Sequence, residues 1–268
     1  MSEFSTEWLD LRAPADQAAR SLPVLEAVRH FFTDRERISV TDLGAGTGAT
    51  LRGVAPYLPA HQSWVLVDQD QAHLDVAANR TAAWQSGGAV AASIELSMRT
   101  ADLVSEPTPW SADTDFVTAS ALFDLVSAAW LDQFIGALTA SGKPLLALLT
   151  YDGRLGFEPA HPGDQVLIDA FNQHQQTDKG FGPALGPNAA RYLSDRLTDA
   201  GYRLVEGDST WHLDPGFTQM RHEMITGWAG VATEMGVEAQ VIDAWREAHW
   251  TADDLLSVGH TDLFAYPA

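Results

Sequence analysis

Cysteine is absent from the 268 residues, which excludes disulfides and thiolate-held zinc. Basic residues are scarce. Sixteen Lys and Arg stand against 36 Asp and Glu, a formal net charge of −20. A surface of that sign repels phosphate backbones, so no nucleic-acid partner is expected. No apolar run approaches the roughly 18 residues of a membrane span, so no membrane partner is expected. The opening MSEFSTEWLDLR has neither a basic n-region nor an apolar h-region. No signal peptide is therefore expected, and the expected location is cytoplasmic. The nine His are scattered, none in an HExxH pair, and no metal is expected. Internal repeats at the usual 20–50-residue periods and low-complexity tracts are also missing. At 46% hydrophobic residues, the chain has ample material for one substantial core.

What is present is a dense glycine signal. Residues 40–48 read Val40-Thr41-Asp42-Leu43-Gly44-Ala45-Gly46-Thr47-Gly48. An apolar, β-branched approach runs into an acid and then three alternating glycines, which reads as a strand feeding a tight turn that opens a helix. Glycine lacks a Cβ, so the backbone there adopts φ > 0 and approaches a ligand closely. The following helix N-terminus offers free N–H groups to an anion. Gly44, Gly46 and Ala49 also satisfy the dinucleotide fingerprint G-x-G-x-x-G/A, which keeps an NAD-linked oxidoreductase as an alternative.

The pattern along the chain alternates strands and helices, which implies a mainly parallel sheet covered on both faces. Residues 6–31 read as helical with interruptions at Pro14 and Pro23. A strand is expected at 38–43, and a helix from Gly48 to before Pro59. Next come a strand at 64–68, a helix at 71–84, and strands within 93–100 and at 115–119. A helix carrying Trp130, Phe134 and Leu138 follows, then a continuously apolar strand at 144–150. Beyond Thr150 the pattern loosens. The expectations are a loop at 151–163, a helix at 164–175, an exposed loop at 177–187, and a helix at 188–200 closed by Gly201. A strand at 202–213, helices at 218–235 and 238–250, and a last strand at 255–266 complete the chain. Trp130, Trp211, Trp228, Trp245 and Trp250 are expected in the core, with one or two of them able to wall the acceptor pocket.

Asp42, two residues before Gly44, and the third glycine, Gly48, complete the motif E/D-x-G-x-G-x-G. In this the chain resembles the class I S-adenosylmethionine-dependent methyltransferases, specifically over 38–150 and only topologically over 151–268. The resemblance implies a three-layer Rossmann-like sandwich with a mainly parallel seven-stranded sheet whose last strand is antiparallel. One domain spans 1–268. It comprises an N-terminal helical cap (1–35), a cofactor-binding core (36–150) and an acceptor-side half (151–268) with a helical insertion at about 216–252. The implied cofactor is S-adenosylmethionine. Gly44, Ala45, Gly46 and Gly48 form the turn, and Asp42 either holds its geometry or meets the cofactor's amino group through water. Asp68 becomes the ribose ligand, with Asp70 as the competitor that could instead cap the next helix. Gln69 lies beside the adenosine, Asp102 and Leu103 meet the adenine, and Ser120 lies under the methionine arm.

Arg12, Asp16 and Arg20 fall at four-residue spacing. They form either a surface salt-bridge ladder or, through Arg12 or Arg20, a clamp on the methionine carboxylate. Ala119-Ser120-Ala121-Leu122 stands where an N/D-P-P-Y/F motif would mark amide or ring-nitrogen methylation. Tyr151 and Asp152 follow the expected fifth strand and should lie near the transferred methyl group, because ligands bind beyond strand carboxyl ends. Among nearby groups, His174 alone has a pKa suited to a general base. The loop carrying Lys179 is able to act as a lid. The expected activity is methyl transfer to a small-molecule acceptor. A non-catalytic S-adenosylmethionine-binding scaffold is the alternative from another class. The acceptor, the methylated atom and the oligomeric state are open.

Overall fold

The computed structural model describes residues 5–88, 90–250 and 255–268. The expected cap and insertion thus each include residues outside this range, 1–4 and 251–252. Helix α1 (Thr6–Ala19) is capped by the Ser5 side chain, which accepts from the Trp8 N–H at 3.2 Å. Pro14 lies inside it, and the chain breaks instead at Arg20–Ser21. Helix α2 (Leu22–Phe31) then carries Pro23 in its first turn, where no N–H is needed. The core alternation follows: β1 (Arg37–Leu43), α3 (Ala49–Val54, with a further short turn at 55–57), β2 (His61–Asp68), α4 (Gln71–Ser86), β3 (Ser93–Thr100), β4 (Phe116–Ser120), α5 (Ala128–Ala140) and β5 (Leu145–Glu158). The second half contains α6 (Asp164–His174), α7 (Ala189–Asp199), β6 (Tyr202–Asp208), β7 (Trp211–Leu213), α8 (Thr218–Glu234), α9 (Ala239–His249) and β8 (Leu255–Pro267).

The sheet order is β3-β2-β1-β4-β5-β8-β6, with β7 added beside β8. Strands β1 to β5 run parallel, and β8 runs antiparallel to both β5 and β6. The sheet therefore has eight strands where seven are expected. Leu145–Tyr151 is buried throughout, and its side chains split between the two apolar layers: Leu146 and Leu148 face one, Leu145 and Ala147 the other. That is why the segment reads as an unbroken apolar run. Between β3 and β4 there is no helix, and the face left open carries His61, Ser63, Ser93, Glu95 and Ser97, all exposed. The polar alternation matches the missing cover.

Three further expectations need correction. The loop expected at 151–163 is largely strand. β5 continues to Glu158 because Leu155, Gly156 and Phe157 pair with Val258, Ser257 and Leu256 of β8. The strand expected at 202–213 is broken into β6 and β7 at Ser209–Thr210. Trp250 is not core: it is 44% exposed and stacks on His222 with 4.0 Å between ring centroids. A bulge within β5 puts Leu149 at φ 52°. Buried Asp262 of β8 holds this strained turn, taking the Leu149 N–H at 2.7 Å and the Ser21 N–H at 2.8 Å. One carboxylate thus fastens the β5 bulge to the start of α2.

Candidate functional site

The glycine turn leaves β1 with Gly44, Gly46 and Gly48 at φ 62°, 50° and 78°. These left-handed values are strained for any residue with a Cβ. The Ala45 N–H donates to the Val67 carbonyl (3.0 Å) and the Gly46 N–H to Asp68 Oδ2 (2.7 Å). Asp68 Oδ1 accepts from the Asp70 N–H at 3.0 Å. The turn and the end of β2 are therefore one hydrogen-bonded unit built around Asp68. Asp70 takes the capping role, its Oδ1 accepting the Ala72 N–H of α4 at 2.8 Å.

A cavity of about 950 Å³ opens above this unit. Its walls are α1, the glycine turn, the carboxyl ends of β2, β3 and β4, and the segment that follows α6. Of the residues singled out for the cofactor, Gly44, Ala45, Gly46, Asp68, Gln69, Asp102, Leu103 and Ser120 line it. At the far side, Asp102 Oδ1 accepts the Val104 N–H (2.9 Å), and the Leu103 carbonyl accepts the Trp130 indole N–H (2.6 Å). Ala121 also lines the cavity, at φ 52°. Such strain in a residue with a Cβ concentrates at functional sites and leaves no trace in sequence.

Other expected site residues lie elsewhere. Asp42 is fully buried beneath the turn, where the Thr118 hydroxyl donates to its Oδ1 at 2.6 Å. Burial pushes its carboxyl up to about 7 against the pull of Thr118 and Arg20. Gly48 faces α4, where a Cβ would stand 3.1 Å from Ala77 Cβ, so its glycine serves helix packing. Arg20 lies behind α3: its Nη2 donates to the Ala49 carbonyl at 3.0 Å, and a Cβ on Gly53 would strike its guanidinium.

Tyr151 and Asp152 do not line the cavity either, because β5 does not end at Thr150. Tyr151 is buried, its hydroxyl donating to Asn172 Oδ1 at 2.7 Å, and burial raises its pKa. Asp152 accepts from Arg154 Nε at 3.0 Å, and Arg154 also reaches Asp208 at 2.7 Å.

Of the two arginines in the Arg12, Asp16, Arg20 series, Arg12 is the one that lines the cavity. Its Nε donates to both Asp16 oxygens (3.2 and 2.9 Å), and the guanidinium carbon lies 5.0 Å from the Trp211 ring centroid. The Arg12–Asp16 pair is buried, not a surface ladder. Two groups in its electrostatic reach are perturbed: burial lifts Asp124 to about 6, and burial with the Arg12 charge holds His260 down to about 3.

The remaining wall combines Leu122, Leu125 and Phe181 with His174, Thr177, Asp178 and Lys179. His174 Nδ1 lies 3.3 Å from Lys179 Nζ, and its Nε2 lies 3.5 Å from Glu234. Asp178 is a turn residue whose Oδ1 accepts the N–H groups of Gly180 (2.7 Å) and Gly182 (3.0 Å). The 177–187 segment is not a free lid. Leu185 N–H donates to Val126 O (2.8 Å) and Gly186 N–H to Asp124 O (2.9 Å), with bridges from Phe181 and Ala184 to Val126 and Ser127.

No protein-family model and no curated protein matches the chain. Solved structures do. A cyclopropane-fatty-acyl-phospholipid synthase-like protein from Lactobacillus casei is 14% identical, with TM-score 0.54 over 98% of this chain and 94% of that one. A methyltransferase from Thiobacillus denitrificans, solved with S-adenosyl-L-homocysteine, is 14% identical over 98% of both chains, with TM-score 0.45. An all-parallel dinucleotide-binding sheet of order 3-2-1-4-5-6 has no antiparallel strand between its last two positions, whereas this one has β8 there. The strand order, the reversed strand and the structural match together establish that the chain has the Rossmann-like fold of the class I methyltransferases.

Proposed function

We propose that this protein transfers a methyl group from S-adenosylmethionine to a small-molecule acceptor. The observation that carries this reading is the Asp68 unit: a glycine turn at positive φ, hydrogen-bonded to an acid that ends β2, on the wall of the cavity. The residues present fit that cofactor. On Gly46 a Cβ would already stand 3.4 Å from Leu9 Cδ1, so α1 packs down on the turn and closes that side of the cavity. Asp68 uses its two oxygens on two N–H groups, and each oxygen keeps accepting capacity for a ribose diol. Asp102 supplies an acceptor at the far end for the adenine amino group. The terminal nitrogens of Arg12, whose hydrogen bonds to Asp16 come from Nε alone, suit the methionine carboxylate. The cofactor supplies a sulfonium-activated methyl group with a neutral leaving group. The protein's work is then to position the acceptor and exclude water.

A volume of about 950 Å³ lies at the top of the range for a single small-ligand site, which leaves room for a second molecule. The acceptor occupies the end walled by Leu122, Leu125, Phe181, His174 and Lys179. His174, with Nδ1 facing Lys179 and Nε2 facing Glu234, takes a proton from it once the acceptor displaces one of these contacts. Calorimetric titration with S-adenosylhomocysteine tests the cofactor. Binding is expected, and its absence at millimolar concentration overturns the reading. Incubation with labelled S-adenosylmethionine and a metabolite extract then separates an enzyme from a non-catalytic binder, because only an enzyme moves the label.

A further inference from the structure

The acceptor end of the cavity is asymmetric in charge. Asp68, Asp70 and Asp102 line the part read as the cofactor's, whereas Lys179 stands beside His174 on a wall that also holds Leu122, Leu125 and Phe181. Lys179 is one of two lysines in the chain. The other, Lys143, is buried and spent on the carbonyls of Ala112 and Thr114. Among the described residues, the hydrogen bonds of Lys179 go instead to neutral groups, Thr177 Oγ1 at 3.1 Å and His174 Nδ1 at 3.3 Å. No carboxylate among the described residues comes within ion-pair distance of it, although it sits next to Asp178 in a chain of net charge −20. Asp178 Oδ1 takes two backbone N–H groups, and Glu234 lies 3.5 Å from His174 Nε2 while its charge reaches Lys179 only through space. An ammonium has three donors, so one remains for the cavity.

We infer that the methyl acceptor is an amphipathic small molecule whose oxyanion, a carboxylate or a phosphate, is held by Lys179 while its apolar body rests on Leu122, Leu125 and Phe181. The inference rests on the methyltransferase reading of this cavity and names the substrate class within it. The wall is built to keep that cation in place. Hydrogen bonds from Leu185 and Gly186 to the 124–126 segment fasten the loop, and the Asp178 turn fixes the backbone beside Lys179. A charged donor with no carboxylate bonded to it, partly removed from water and balanced only at longer range by Glu234, gains most from a ligand that brings a negative charge into contact.

The test uses the full chain loaded with S-adenosylhomocysteine and titrated calorimetrically with benzoate, phenyl phosphate and the uncharged isostere benzamide. At least one oxyanion should bind about tenfold or more tightly than benzamide, as a charge-assisted hydrogen bond requires. Which of benzoate and phenyl phosphate binds better distinguishes carboxylate from phosphate. Lys179→Gln should erase the preference and Lys179→Arg should keep much of it, with S-adenosylhomocysteine binding reporting that each variant is folded. Equal binding of benzamide, no binding of either oxyanion, or a preference that survives Lys179→Gln overturns the inference while leaving the cofactor reading intact. Failure of S-adenosylhomocysteine to bind the wild-type chain overturns both.

Discussion

Asp68 acts on the protein before it acts on any ligand. Its carboxylate already holds the Gly46 and Asp70 N–H groups, so it shapes the turn as well as offering acceptors to the cavity. Asp68→Ala should weaken S-adenosylhomocysteine binding by about 1.5–3 kcal/mol, the range for hydrogen bonds to a charged group. It should also lower the melting temperature of the ligand-free protein, because two N–H groups lose their partner. Asp70→Ala removes an N-cap, worth about 1 kcal/mol of stability, and should change affinity much less. Calorimetry and thermal melts on the pair check this, and the reverse ranking of affinities would reassign the ribose acid. Gly46→Val should abolish binding. A β-branched residue resists φ near 50°, and its methyl groups would press on Leu9, which already stands 3.4 Å from the Cβ position. If His174 is the proton acceptor, His174→Ala should lower kcat about 10²–10⁴-fold and leave cofactor affinity near wild type. An unchanged rate would leave positioning alone as the mechanism.

Elements were legible in the sequence where local chemistry decides them. The glycine turn, the acid ending β2, and the Gly201 that follows α7 at φ 83° all depend on a few adjacent residues, and each appears where its pattern indicates. What was illegible depends on partners far along the chain. Where β5 stops is set by its pairing with β8, so Tyr151 and Asp152 became mid-strand residues outside the cavity. Whether Arg12 or Arg20 faces the cavity depends on α1 breaking at Arg20–Ser21, a point fixed in part by Asp262 on the last strand. The helical insertion is another long-range construction. Asp164, at the start of α6, accepts from the Trp245 indole (2.9 Å) and bonds His249 Nε2 (2.7 Å), both on α9, and also takes the His161 N–H (2.7 Å). Asp164→Ala should therefore loosen α9 specifically. The expected result is a stability loss of about 1.5–3 kcal/mol, with faster amide hydrogen exchange in 239–249 than in β1 or β4. Uniform acceleration across the chain would show that α9 does not open separately.

Across the whole molecule, the buried ionisable groups give stability a pH dependence of opposite signs. Asp42 has an ordinary carboxyl pKa of 3.8, raised in the fold to about 7 chiefly by burial. Below 3.8 both folded and unfolded chains hold its proton. Between there and about 7 only the folded chain does, so the unfolded state gains by ionising and stability falls as pH rises. Asp124 acts in the same sense up to about 6. His260 acts in the other: it stays neutral in the fold down to about 3, whereas the unfolded side chain protonates below 6.5, so its contribution is lost as pH falls. Replacing one group isolates its share. Asp42→Asn cannot ionise, and Asn is close in shape. Its stability relative to wild type should therefore improve as pH rises from 5 to 8, by on the order of 2 kcal/mol at about 1.4 kcal/mol per pKa unit. The absolute offset between the two includes the altered hydrogen bond with Thr118, but that offset does not vary with pH. Denaturant melts of both proteins at several pH values would measure the slope. Parallel curves would mean that Asp42 is ionised in the folded protein throughout, with the Arg20 charge and the Thr118 hydroxyl outweighing its burial.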